Sequence, residues 1–480
     1  MLFNSYEFIF YFLPIVFVVY FLLKKVNVSW LSKVWLVAAS LFFYGWWNPK
    51  YLTLIIASIV VNFVLSKLMI RWKEKQGIVL TIGIIFNIAL LGYFKYADFF
   101  ISNINNVFGT SVGLLQLALP LAISFFTFQQ IAFLVDTYRG ETKHYSFLSY
   151  CFFVTFFPQL IAGPIVHHSE VMGQFEDKKN NSISAKNVSV GLYIFSIGLF
   201  KKVMIADTFA IWANAGYEGA NQLTFVEGWI TSLAYTFQLY FDFSGYCDMA
   251  IGAALLFNIK LPINFFSPYK ATNIQEFWRT WHMTLNRFLT QYVYIPLGGS
   301  KKGKVRTYIN IFLVFFISGF WHGAGWTFII WGCLHGLASI IYRLWSRLNI
   351  SLPKWLAWFI TFQFVNFAWV FFRATSIDQA LTVLKAMVGL NGFKLPAAFA
   401  SIVPSLQSIT SPHLIWGLYD ISVYIAAILI AFVIVLSQRN SIEMMESFRP
   451  TWKHAAFSAV ITVITILSLN KVSDFIYFNF

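Results

Sequence analysis

The chain has 480 residues, 59% hydrophobic and 11% charged, with mean hydropathy +0.68 and net charge +15. Soluble domains carry about 25% charged residues, so too little polar surface is encoded here to coat a water-facing protein of this length. Its Lys and Arg residues sit in short clusters between apolar runs, a pattern of membrane topology that argues against a nucleic-acid surface.

About 20 apolar residues suffice to cross the hydrocarbon core as a helix. The spans expected in chain order are 7–23, 33–46, 51–69, 78–97, 113–135, 188–210, 225–245, 306–320, 326–345, 354–372, 416–437 and 454–470. The first is followed by Lys24-Lys25 and no small-residue cleavage site, so it reads as a retained span. Basic clusters at 24–25, 71–75, 139–143, 178–179, 301–306, 343–347 and 439–453 belong on the cytoplasmic side. They place both termini outside after twelve crossings, provided that 146–168 and 274–297 enter and leave on one face. Pro158 and Gly163-Pro164 in the first, and Asn273, Glu276, Arg279 and His282 in the second, suit re-entrant segments packed against protein. The fold class expected is therefore an all-α polytopic bundle in one membrane domain. N-terminal spans occupy 1–145, a polar core 146–345, C-terminal spans 346–470 and an outer tail 471–480.

Lys201-Lys202 resist this scheme, since a mid-bilayer Lys costs roughly 2.5–3.5 kcal/mol. Either that helix lies partly on the surface or the lysines line a wet cavity. Cys151, Cys247 and Cys333 lack CxxC spacing, so neither a disulfide framework nor a metal centre is expected.

Polar residues concentrate in 235–306. Gln238, Tyr240, Asp242, Ser244, Tyr246 and Asp248 recur at i, i+2, which one straight helix would not bring to one face. A break at Gly245 would let them line a cavity, with Arg279 or Arg287 pairing the acids; a salt-bridge network holding the bundle is the alternative. Two of the eight histidines share similar company, in Trp281-His282 and Trp321-His322. Glycines around His322 predict a helix interruption, and the preceding helix rises about 22 Å, setting His322 deep in the protein. A neutral imidazole there suits general-base work, the alternative being a structural histidine bonded to a carbonyl. His335, His413 and His454 are expected to be structural or interfacial, and His144, His167 and His168 solvated near cytoplasmic loops, with anion binding the alternative for His168. Ser300, Lys301, Lys302 and Lys304 lie in a glycine-rich basic loop that suits phosphates without matching P-loop spacing. A purely topological role accounts for these lysines equally well.

Four stretches together resemble the membrane-bound O-acyltransferase family, in particular its bacterial branch that O-acetylates alginate and peptidoglycan. They are Met1-Leu2-Phe3-Asn4-Ser5, Pro158 to Ile165, Tyr240 to Ala250, and Phe277-Trp278-Arg279-Thr280-Trp281-His282 with Trp321-His322-Gly323. The resemblance implies a helical ring around a thin centre, with His322 essential and His282 at the other polar position. It also implies cytosolic acetyl-coenzyme A as acyl donor, with no permanently bound cofactor, and a cell-envelope polysaccharide as acceptor, in the bacterial cytoplasmic membrane. The loop 298–304 would seat the coenzyme phosphates, and Gln238, Asp242, Ser244, Tyr246, Asp248 and Arg279 would line the substrate channel. The ending Asp474 to Phe480 is similar to the terminal motif of a small partner peptide in teichoic acid D-alanylation; by that likeness Tyr477 would be an acyl carrier, the alternative being an aromatic interfacial anchor. The outer loop 373–415 is too short for an independent catalytic domain, so a secreted partner resembling SGNH hydrolases would finish the transfer. A flippase of lipid-linked sugars and a structural scaffold are the competing readings.

Overall fold

The computed structural model describes residues 1–26, 29–142, 145–396, 410–411 and 421–469, and the apolar runs appear there as helices. Tyr477, His413, Lys143 and His144 lie outside the described residues. Among the described residues, seven helices are long and apolar enough to cross a membrane, and three shorter ones are also apolar. The protein is thus a multi-pass α-helical membrane protein. Its described strands are only Leu395–Pro396 and Thr410–Ser411, paired in parallel.

A π-helical turn, Glu7–Phe12, leads into α1 (Leu13–Lys25), which packs on α2 (Ser29–Gly45). Next, α3 (Lys50–Arg71) and α4 (Gln76–Leu91) meet through a buried amide pair, Asn62 with Asn87. A π-turn, Gly92–Tyr96, joins α4 to α5 (Ala97–Phe108). The span expected at 113–135 is only partly helical. Residues 109–120 form a loop whose Leu115 and Gln116 amides donate to the Asp98 carboxylate, and α6 (Ile123–Tyr138) begins after Pro120.

The segment expected to be re-entrant at 146–168 is broken into α7 (Phe147–Thr155) and α8 (Phe157–Leu160), followed by α9 (His168–Glu176). Then α10 (Ala185–Phe200) passes through the π-turn Lys201–Ala206 into α11 (Asp207–Glu218). The axis of the molecule is α12 (Phe225–Leu256), 32 residues long and buried along nearly its whole length. It packs against α8, α10 and α11, and against three helices described below.

Gly245 does not break this helix. A Cβ there would stand 2.8 Å from the Gly198 carbonyl, and one on Gly198 would stand 2.5 Å from the Gly245 carbonyl. The glycine is present so that α10 and α12 can touch backbone to backbone. Neither reading of Lys201-Lys202 holds either. Lys201 bonds Asp248 at 2.7 Å, while Lys202 bonds Asp242 at 2.7 Å and Asp207 at 2.8 Å. Those lysines, and not Arg279 or Arg287, partner the buried acids; Arg287 pairs with Glu170. This is the salt-bridge alternative, realised between helices.

After α12 come α13 (Ile274–Thr280) and α14 (Met283–Leu289), then the long pair α15 (Lys304–His322) and α16 (Trp326–Trp345). The two pack closely because a Cβ on Gly332 would lie 2.5 Å from the Phe315 carbonyl. Helices α17 (Lys354–Arg373), α18 (Ile377–Met387) and α19 (Ile421–Ser437) close on α12, and α20 (Ser441–Glu446) and α21 (Trp452–Leu467) on α10.

Candidate active site

His322 is the last residue of α15, and extended Gly323 follows it, as the glycines predicted. Its ring is buried among Trp321, Trp331 and Phe372, with centroids 4.9, 5.2 and 5.1 Å away. His282 is equally buried and sits between α13 and α14 with φ +44°, a left-handed conformation uncommon outside glycine. The break between the two short helices places it there, and the ring centroids of His282 and His322 are 6.3 Å apart. Residues 40 apart in sequence therefore form one imidazole pair.

The proton on His282 can be assigned from its neighbours. Asn264 Oδ1 accepts the Thr284 backbone N–H at 3.2 Å, which fixes that atom as the amide oxygen. His282 Nδ1, 3.1 Å from the same oxygen, is then the donor. This leaves Nε2 with a lone pair, and that atom has no hydrogen-bond partner among the described residues. Such a nitrogen in an aromatic enclosure can take a proton from a hydroxyl or thiol. His335 differs: Trp278 Nε1–H donates to its Nδ1 at 3.2 Å, and its buried ring is structural, as expected.

Two residues that sequence reasoning overlooked hold the end of α15. Lys95 donates to the Trp321 carbonyl at 2.6 Å, the His322 carbonyl at 3.2 Å and Ser124 Oγ at 3.1 Å. Tyr96 donates to the Phe320 carbonyl at 2.6 Å and stacks on the Phe320 ring. A helix ends with unsatisfied carbonyls and a partial negative charge, which an ammonium and a phenol answer here. The available signal was a lone lysine closing an apolar run.

Cavities approach His322 from two directions. One of 580 Å³ is lined by Arg279, Arg343, Arg347, Trp278, Ser339 and Ser318, the last one turn before His322. Another of 310 Å³ is lined by Lys95, Asp98, Phe328 and Gly323, the residue after His322. His322 itself is 2% exposed and lines neither, although Ser318 before it borders the first and Gly323 after it borders the second. Of the expected channel residues, Arg279 faces the larger cavity. Gln238, Asp242, Ser244, Tyr246 and Asp248 are enclosed by helix packing and line neither cavity. Ser300, Lys301 and Lys302 are exposed on the turn before α15 and Lys304 is exposed at its first residue; none lines the larger cavity. The positive charge in that wall comes from arginines, of which Arg343 and Arg347 had been read only as topological.

Residues 137–377 match the membrane-bound O-acyltransferase family. A peptidoglycan O-acetyltransferase of Helicobacter pylori is 48% identical, over all of this chain and 98% of its own length. The chain belongs to the membrane-bound O-acyltransferase family. A probable alginate O-acetylase of Pseudomonas aeruginosa is 37% identical over 85% of this chain and 78% of its own length. A teichoic acid D-alanyltransferase of Bacillus subtilis is 28% identical over 52% of this chain and 68% of its own. The resemblance read from the motifs is thereby borne out. As a membrane-bound O-acyltransferase the protein is an enzyme, and the flippase and scaffold readings give way. The matched region contains both histidines, the three cavity arginines and the whole of α12.

Proposed function

We propose that this enzyme takes an acetyl group from cytosolic acetyl-coenzyme A and passes it across the bacterial cytoplasmic membrane for O-acetylation of a cell-envelope polysaccharide. Peptidoglycan is the favoured acceptor, ahead of alginate, because the relative matched over its full length acts on peptidoglycan. The observation that carries the reading is the buried His282–His322 pair, whose chain neighbours Ser318 and Gly323 each border a cavity. Arg279, Arg343 and Arg347 suit the coenzyme phosphates, since guanidinium binds phosphate through paired N–H groups. The thioester would then reach past Trp278 and Ser318 towards the histidines.

In the transfer, an acceptor hydroxyl gives its proton to an imidazole and its oxygen attacks the thioester carbonyl. The new C–O bond forms as the C–S bond breaks, and the departing sulfur takes the proton and leaves as coenzyme A thiol. Tyr477 is the proposed first acceptor. Its phenol has an ordinary pKa near 10, so it needs such a base. A secreted partner resembling SGNH hydrolases would receive the acetyl group and esterify the polysaccharide.

The test uses membranes supplied with radiolabelled acetyl-coenzyme A. Label should appear on the chain and on the polysaccharide, and His322→Ala should abolish both. Tyr477→Phe should remain folded and inserted yet acetylate no polymer. Wild-type transfer in the His322 variant would refute the histidine mechanism, and normal acylation in the Tyr477 variant would refute the carrier.

A further inference from the structure

Away from the histidine pair, three side chains with metal-ligand chemistry converge. Asp136 in the last turn of α6, His167 at the N-cap of α9 and His168 beside it present one carboxylate oxygen and two ring nitrogens within 4.8 Å of one another. Nε2 of His167 is 2.7 Å, and Nε2 of His168 3.4 Å, from Asp136 Oδ2. These values bracket the roughly 3.3 Å that separates two donors on a tetrahedral ion with bonds of about 2.05 Å.

His168 had been expected to be solvated, yet it is 2% exposed and its Nε2 lacks a partner with hydrogen-bond geometry. Its approach to Asp136 is an ion-pair distance and not a formed hydrogen bond. Both rings are held from behind: Nδ1 of His167 caps α9, accepting the Ser169 backbone N–H at 3.4 Å and lying 2.7 Å from Ser169 Oγ, and Nδ1 of His168 lies 3.4 Å from the Tyr145 hydroxyl. The Tyr292 hydroxyl, 2.9 and 2.8 Å from the two Asp136 carboxylate oxygens, holds that group too. An oxygen partner on the far side of an imidazole aims a histidine at a metal, and the Tyr145 hydroxyl supplies one to His168.

The cluster opens on a third cavity, of 590 Å³, which also bears Glu141, Glu170, Arg139 and Arg287. Three carboxylates face two guanidinium groups there, and Arg287 is already committed to Glu170 at 2.6 Å. Arg139 stands 4.0 Å from Asp136 Oδ1, while Oδ2 faces the two histidines and the Tyr292 hydroxyl. This lining favours a cation over a phosphate.

We propose that Asp136, His167 and His168 bind a divalent transition-metal ion of the zinc class, with its fourth position open to water from the cavity. The ion ties the end of α6 to the start of α9 and, through Tyr292, to the π-turn Thr290–Tyr294 that follows α14. It is a brace at the broken helices, separate from the transfer chemistry.

The full chain, purified in detergent through a tag without histidine, is stripped with a chelator and titrated with zinc sulfate. Bound zinc is counted by elemental mass spectrometry, and unfolding is followed by melting. One zinc per chain is expected, with a melting temperature that climbs with free zinc. His168→Gln should lose the ion, and Ser169→Ala should keep the site with affinity lowered about tenfold. A wild-type chain that retains no zinc and melts identically with and without it would overturn the site, as would full zinc occupancy in His168→Gln.

Discussion

Replacing Lys95 by methionine removes the ammonium that bonds the Trp321 and His322 carbonyls while keeping most of the side chain's volume. Hydrogen bonds to charged groups contribute about 1.5–3 kcal/mol each, so with two such bonds roughly 3–6 kcal/mol that holds the end of α15 is lost. Part of it returns as the freed carbonyls find water from the 310 Å³ cavity that Lys95 lines. What remains lets His322 drift, and a displacement of about 1 Å at a reacting group costs about 100-fold in rate. The assay is initial-rate release of coenzyme A thiol from acetyl-coenzyme A in membranes that contain the acceptor. The turnover number should fall about 100-fold with KM for the donor unchanged, because the arginine-lined cavity lies elsewhere. Lys95→Arg, which keeps a cation, should recover to within about tenfold of wild type. A Lys95→Met enzyme with undiminished turnover would refute this reasoning, and so would one whose whole defect lay in KM.

Three further outcomes are expected. Exchanging Arg343 and Arg347 together for Gln should raise KM for acetyl-coenzyme A about tenfold or more while sparing turnover; neutralising Lys301, Lys302 and Lys304 should leave KM unchanged, and steady-state kinetics on both variants distinguishes the cavity from the loop. Asn264→Leu removes the oxygen that fixes the His282 tautomer, so turnover should drop about 100-fold with folding retained, measured as activity beside a melting curve. Gly245→Val drives a side chain into the α10 backbone and should cost about 1–3 kcal/mol, seen as a lowered melting temperature in detergent.

Hydropathy located most of the helices because lipid demands long apolar runs whatever their tertiary partners are. It misjudged residues 113–135 because Leu-rich loop residues score like a span, whereas the feature that makes them a loop is the distant Asp98 carboxylate. It also stopped α12 at residue 245, since the polar residues beyond 238 depress hydropathy. Those groups are tolerated because their counter-ions arrive from the preceding helix, a pairing that no local window contains. His282 and His322 stood out by the tryptophans beside them, but that they would face each other depended on the left-handed turn at 282. Lys95 was passed over because a lone lysine near the end of a span resembles an interfacial anchor. His168 was taken for solvated because its surroundings come from α6 and Tyr145, far from it in sequence.

The Lys201 and Lys202 pairings bear on how the chain enters the bilayer during synthesis. When residues 185–218 emerge, Asp242 and Asp248 are still inside the ribosome, so each lysine would meet lipid at roughly 2.5–3.5 kcal/mol. Lys202 has Asp207 nearby on its own segment, while Lys201 must wait for Asp248. The earlier helix on its own would thus carry Lys201 without its counter-ion, and only the pair of helices together presents that charge to the bilayer neutralised.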